Sequence, residues 1–98
     1  MSISTTTNDN ITRIIIEDKF DYSVHNEFRD AYRDTPVGTQ FIIDLNRTTY
    51  MDSSALGMML LLREHSGEKS EKISIVGCTQ EIKKILEMSN FKNLFNIS

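Results

Sequence analysis

The chain has 98 residues, 39% of them apolar and 26% charged, and a formal net charge of -3 at pH 7. That length holds one domain, residues 1–98, with a modest core, and the composition is that of an ordinary globular protein. The acidic balance gives no electrostatic footprint for nucleic acid, which would call for a basic face, and it disfavours anionic membranes and acidic substrates.

Met1 to Thr7 carries neither the basic stretch nor the apolar stretch of a secretory signal. Within it Ile3 to Thr7 has the pattern of a short edge strand, and Asn8-Asp9-Asn10 is a turn signal. Three consecutive isoleucines make Ile11 to Glu17 a second strand, so the two form a hairpin. From Ser23 to Arg33, residues Val24, Phe28, Ala31 and Tyr32 keep helical spacing, with Glu27, Arg29, Asp30 and Arg33 on the wet side. Pro36 and Gly38 stop that helix and lead into a strand, Phe41-Ile42-Ile43-Asp44-Leu45.

Asp52-Ser53-Ser54 then supplies N-cap chemistry for a helix from Ser53 to His65, closed by Ser66-Gly67 and a charged loop, Glu68 to Lys72. Its apolar run, Ala55 to Leu62, is far short of the ~20 residues that span a bilayer. Ile73 to Gly77 reads as a buried strand, and Thr79 as the cap of a helix to about Ser89 whose inner stripe is Ile82, Ile85 and Leu86. Phe91, Leu94, Phe95 and Ile97 complete the core, the last residues as a strand. The order β-β-α-β-α-β-α-β implies an α/β fold with parallel central strands, helices packed on the sheet and right-handed crossovers. Ile14, Ile16, Phe28, Ile43, Leu56, Leu60, Ile75, Ile85 and Leu86 occupy the inner positions and are expected to be largely buried.

Enzymatic chemistry finds little support. The glycines at 38, 57, 67 and 77 are scattered singly, so there is no phosphate-cradling loop, and Asp52 to Gly57 matches neither a P-loop nor a Gly-x-Ser-x-Gly elbow. His25 and His65 read as solvated surface histidines, without a metal-ligand cluster around them, and nothing in the sequence brings either to Ser53 and an aspartate as a triad. The lone Cys78 excludes an internal disulfide and reads as a buried, inert thiol, which with the missing signal and span places the chain in the cytoplasm. No cofactor is expected. Met58 and Met59 lie in a helix that is apolar all round, which suits either deep burial or a face presented to a partner. Asp52 and two hydroxyls at a helix start serve plain capping, and the same place favours an anion such as a phosphate on serine.

Tyr50-Met51-Asp52-Ser53-Ser54-Ala55-Leu56-Gly57, after Ile42-Ile43-Asp44-Leu45, resembles the signature of the STAS domain family, and in particular that of bacterial anti-sigma factor antagonists. Phe20-Asp21 resembles the loop before the family's first helix, and Ile82 to Ser89 with Phe91, Leu94 and Phe95 resembles its third helix and tail, so the likeness spans roughly Ile11 to Ile97. The resemblance implies a mixed sheet with a parallel core and an antiparallel N-terminal strand, its helices mainly on one face. It implies that Ser53 is the phosphoacceptor and that Phe20, Asp21, Asp52, Ser54, Met58 and Met59 form the partner-binding surface. The implied mechanism is partner switching by a monomeric, non-enzymatic regulator. The unphosphorylated form binds a histidine-kinase-like serine kinase, the anti-sigma factor, whose phosphorylation of Ser53 releases it; a PP2C-type phosphatase, or a response regulator carrying one, resets the system. Two departures stand out: Ala55 replaces a common glycine, and the chain stops soon after Phe95, where longer members continue into a helix. The alternative is a STAS module that binds a small ligand or another signalling protein without phosphorylation. A small nucleotide hydrolase and a transporter's cytosolic domain are weaker readings.

Overall fold

The computed structural model describes residues 2–36, 38–67 and 72–98. The charged loop expected over Glu68 to Lys72 therefore lies, Lys72 apart, outside the described residues. Strands β1 (Ile3–Asn8) and β2 (Ile11–Ile16) form the expected antiparallel hairpin. Its turn is made by Asp9 and Asn10, both at positive φ (50° and 67°), the conformation in which Asn and Asp are best tolerated and which matches the twist of paired strands. After β3 (Asp18–Phe20) and a 3₁₀ turn (Tyr22–Val24) come α1 (His25–Tyr32), β4 (Gln40–Asp44), β5 (Thr48–Met51) and α2 (Ser53–His65). Then follow β6 (Ile73–Val76), α3 (Gln80–Met88), a second 3₁₀ turn (Phe91–Asn93) and β7 (Asn96–Ile97).

The main sheet runs β1-β2-β4-β6-β7, antiparallel at β1–β2 and parallel elsewhere. One rung crosses it as Thr5, Ile14, Ile43, Ile75 and Ile97, and its three central isoleucines are fully buried. The inward side chains of β2, β4 and β6 share one core with Phe28, Met59, Leu62, Ile82 and Leu86, so all three helices cover one face. Arg13, Ile15, Ile42 and Ser74 on the other face are half-buried. The mixed sheet with one-sided helices is thus as expected. Two strands were not: β3 and β5 pair in parallel as a separate two-stranded ribbon, with Phe20 opposite Met51.

Burial corrects several expectations. Leu60 is 38% exposed and Leu56 and Ile85 only half-buried, while Ala55, Met58, Met59 and Leu62 form the inner stripe of α2. Met58 (4% exposed), Met59 (0%) and Phe20 (0%) are core residues: Phe20 and Met59 offer no surface to a partner, and Met58 shows only at the floor of the cleft between α1 and α2. For the two methionines the cause is the phase of α2, which turns 55, 58, 59 and 62 to the sheet at helical spacing, and for Phe20 it is its place in β3 opposite Met51. His65 is not solvated either: its Nε2 lies 3.0 Å from both Thr35 Oγ1 and Thr35 O, and its ring packs on Tyr32 at 5.2 Å. Because the Thr35 hydroxyl donates to Tyr32 O (2.7 Å), Nε2–H is the donor to Thr35 O.

One polar cluster ties the strand ends on the open face. Arg13 Nε and Nη2 each reach Asp44 Oδ2 at 3.0 Å, while the Asn46 backbone N–H (2.9 Å) and side-chain amide (2.8 Å) donate to Asp44 Oδ1. Burial pushes the Asp44 carboxyl up, but the two Asn46 bonds and Arg13 together hold it below its usual 3.8. Asn46 in turn packs against Gly77: a Cβ there would sit 2.5 Å from the Asn46 side chain, and Gly77 has φ +76°.

Leu62→Ala should cost ~2–5 kcal/mol in urea unfolding, as for any fully buried leucine, whereas Leu60→Ala should cost less than ~1 kcal/mol. Gly77→Ala should destabilise by about 2 kcal/mol, since it combines a left-handed backbone with displacement of Asn46. For Asp44 the folded carboxyl titrates lower than the unfolded one. Its stabilisation is therefore complete above pH 3.8 and is lost as pH falls through the folded value. Asp44→Asn should lose about 1–2 kcal/mol at pH 7, a figure discounted because Arg13 is 40% exposed, and the gap to wild type should close on acidification below that pH.

Candidate functional site at the paired helix starts

The β3–β5 ribbon brings two helix starts to one end of the molecule. Phe20 and Met51 are opposite each other and buried, so the next residues, Asp21 and Asp52, emerge side by side where the strands give way to helices. The ribbon is fastened to β2 by the buried Thr48 hydroxyl, which donates to Ile16 O (2.7 Å), and its two strands are tied to each other by Thr49, whose hydroxyl donates to Asp18 Oδ1 (2.9 Å).

The two aspartates do the same thing. Asp52 is the N-cap of α2: its Oδ1 accepts from Ser54 N (3.0 Å) and from the Ser54 hydroxyl, and its backbone carbonyl accepts from Ala55 N (3.1 Å). Asp21 caps the 3₁₀ turn before α1 in the same way, with Oδ1 accepting from Ser23 N (3.0 Å) and the Ser23 hydroxyl, and its carbonyl from Val24 N (3.2 Å). Their backbones agree as well, at φ -136°, ψ -170° and φ -125°, ψ -174°. Two orphan N–H groups are satisfied by this device. At Asp21 the Ser23 hydroxyl and N–H hold the carboxyl below its usual range.

Between aspartate and serine stands Tyr22 in one copy and Ser53 in the other. Ser53 is exposed, and among the described residues no hydrogen bond engages its hydroxyl. The Ser54 hydroxyl, by contrast, is committed to Asp52. Of the expected partner residues, the structure brings Asp21, Asp52 and Ser54 to the surface around Ser53 and withdraws Phe20, Met58 and Met59 into the core.

Large apolar side chains that sequence reasoning passed over stand nearby. Tyr22 is 69% exposed and stacks on His25 at 4.9 Å, Tyr50 is 50% exposed, and Leu61 is 48% exposed. The outward stripe of α2 runs Ser53, Gly57, Leu60, Leu61, Glu64. Gly57 has helical backbone and no atom within 4 Å of where a Cβ would stand, so nothing inside the fold calls for glycine there. An exposed helical glycine costs ~1 kcal/mol against alanine. The signal available in the sequence was the glycine itself, one turn past Ser53 in a run of helix formers.

Other chemistry is not assembled. Among the described residues no group of three or more His, Cys, Asp or Glu could hold a metal ion. His25 is hydrogen-bonded to Asn26 and His65 to Thr35, so neither is arranged as a base for Ser53. Cys78 is half-buried rather than buried, and burial pushes its thiol up, against the opposing pull of Lys83, which keeps it unreactive. No described helix is long and apolar enough to cross a membrane.

Comparison with known proteins gives the site a context. The chain is 48% identical over 86 residues to a STAS-domain containing protein of Pseudomonas aeruginosa (strain UCBPP-PA14), covering 87% of this chain and 85% of that one. It is 24% identical over 102 residues to the anti-sigma-B factor antagonist of Staphylococcus aureus, covering 100% of this chain and 93% of that one. Its fold resembles a putative anti-sigma factor antagonist of Thermotoga maritima (TM-score 0.82, 12% identity, 97% and 84% of the two chains). It also resembles the Bacillus antagonist SpoIIAA in its unphosphorylated form (0.73, 14%, 98% and 86%) and in its phosphorylated form (0.69, 14%, 98% and 90%). The STAS domain family model matches residues 2–98. A match of that extent, on a sheet of this topology, settles the kinship: the chain belongs to the STAS domain family.

Proposed function

We propose that this STAS domain is an anti-sigma factor antagonist that works by partner switching, with Ser53 as the switch. The unphosphorylated form binds a histidine-kinase-like serine kinase, an anti-sigma factor or a related regulator. Phosphorylation of Ser53 by that partner expels the antagonist, and a PP2C-type phosphatase, alone or carried by a response regulator, restores it. The role is regulatory rather than catalytic. The observation that carries the reading is the division of labour at the start of α2. Ser53 presents an exposed hydroxyl while Ser54 is locked to the cap, so one of two adjacent serines is available for transfer. That a structural neighbour is known in phosphorylated and unphosphorylated forms lends support.

The electrostatics suit a release signal. A phosphate adds about -1.5 to -2 charges beside Asp52 and its neighbour Asp21. In the free protein the N-terminus of α2 stabilises that charge by up to ~2 kcal/mol. Burying it against a partner surface without a cation costs ~3 kcal/mol, or ~100-fold in affinity. Both effects favour the free, phosphorylated state. A small-ligand role has less to stand on. The cleft between β1 and α1 is about 220 Å³ and that between α1 and α2 about 100 Å³, against roughly 300–1,000 Å³ for ligand sites.

Incubation with the cognate kinase and ATP, read by peptide mass spectrometry, should place phosphate on Ser53 and none on Ser54, and Ser53→Ala should not label. In calorimetric titration against the same kinase, Ser53→Ala should bind at least as tightly as wild type. Ser53→Asp should bind more weakly, and the phosphorylated protein about 100-fold more weakly. Equal affinities across the series would leave Ser53 a plain helix residue.

A further inference from the structure

The cleft between α1 and α2 has a built character that the switch at Ser53 does not use. Its floor is Phe28, Tyr32 and Met58, all buried, and its rim is His25, Arg29 and Leu61. At about 100 Å³ it is too small for a ligand site and suits one anchoring side chain, the form that binding hot spots take at protein interfaces. Leu61 at 48% exposure and the Tyr22–His25 stack widen the apolar surface around the mouth.

Two further observations say what lies there. Gly57, one helical turn before Leu61 on the same outward stripe of α2, lacks a side chain without any need inside the fold. A glycine at that place lets another backbone come close to α2. Arg29 is exposed on the α1 rim, and among the described residues no carboxylate lies within ion-pair distance of it. Burial pushes the Tyr32 hydroxyl up, with Arg29 pulling it down and Glu64 pushing it further up. The rim thus carries a cation, Arg29, on its α1 side and an apolar side chain, Leu61, on its α2 side.

We propose that this face docks an amphipathic helix of a partner protein, which crosses α2 over Gly57, sets one apolar side chain into the α1–α2 cleft and places a carboxylate against Arg29. Helix-in-groove recognition of this kind reads an apolar anchor and its neighbour one turn away. A second copy of this chain is a poor occupant. Its most exposed large apolar side chain, Met88 at 86%, has Lys84 one turn back on the same face of α3, the wrong sign for Arg29. The docking does not depend on modification of Ser53, so it is tested on the unphosphorylated protein.

The probe is a phage-displayed library of random helical peptides selected against the wild-type chain, with enriched peptides synthesised and titrated against variants. The expected peptides combine an apolar anchor with an acidic residue one turn away. Leu61→Glu and Arg29→Glu should each weaken them by about tenfold or more, and Arg29→Glu should select basic residues in place of acidic ones. Gly57→Ala gives the readout that a purely structural role would not. Its thermal midpoint should rise by about 4–8 °C, from better helix propensity, while peptide affinity falls. All three positions are exposed, and the thermal transition of each variant checks folding. Failure to enrich any peptide, enriched peptides without acidic bias, or peptides indifferent to Leu61→Glu would overturn the proposal. So would concentration-dependent dimerisation abolished by Leu61→Glu, which would give the cleft to a second copy.

Discussion

The short parallel pairing of β3 with β5 is the constraint on which the end of the molecule that carries the candidate site depends. It contributes few hydrogen bonds, yet it fixes Phe20 beside Met51 in the core and so fixes where the chain leaves the ribbon on both sides. Asp21 and Asp52 then have to start their helices at neighbouring points with the same backbone conformation. Each cap accepts a backbone N–H and a serine hydroxyl on one oxygen, which holds the first turn rigid and leaves the residue between, Tyr22 or Ser53, pointing away from the cap's own bonds. Moving the ribbon by one residue would flip its side chains and put the aspartates where the core is.

Rigidity at this end matters because a charge switch works only if the surroundings do not relax to accommodate the new charge. A phosphate on a frayed helix start could swing into solvent and alter a partner's affinity little. On the proposed reading, a start held by Asp52 would keep the phosphate at the partner contact, beside that carboxylate. The Asp44 cluster serves a comparable end at the C-terminal ends of β4 and β6. Arg13, Asp44, Asn46 and Gly77 close the sheet's open face at the strand ends that feed β5 and α3, so the platform beneath the ribbon is itself pinned.

How much of this was legible varies by element, for physical reasons. β2, β4 and β6 announce themselves through runs of isoleucine and valine, and the caps at Asp52 and Thr79 are stated by residue type alone; Thr79 Oγ1 accepts from Ile82 N as its position implies. β3 and β5 were missed because Asp-Lys-Phe and Thr-Thr-Tyr-Met are too short for a period-2 pattern, and only tertiary pairing makes them strands. The phase of α2 was misread for a different reason. With apolar residues at 55, 56 and 58 to 62, every rotation buries something hydrophobic, so periodicity holds no information about which side faces the sheet. The cap that leaves Ser53 exposed was legible because residue type alone places Asp52 before a helix start. Leu61, Tyr22 and the α1–α2 cleft were not, because exposure of an apolar side chain is a property of the assembled fold.

That same helix carries the logic of the domain. A helix with one role needs a single apolar stripe, and α2 has more than that. Its inner side, Ala55, Met58, Met59 and Leu62, fills the core, and its outer side begins with Ser53 and continues through Gly57, Leu60 and Leu61. Exposed leucines and an exposed glycine are each tolerable alone. Together on one stripe they give up helix stability and solubility at once, in a chain small enough that ~1 kcal/mol is a noticeable fraction of its total. Selection for folding alone would remove them at no cost to the core, since none of the three is buried. Their presence one and two turns below Ser53 is intelligible if a partner covers the stripe, because burial in that contact recovers what exposure gives up.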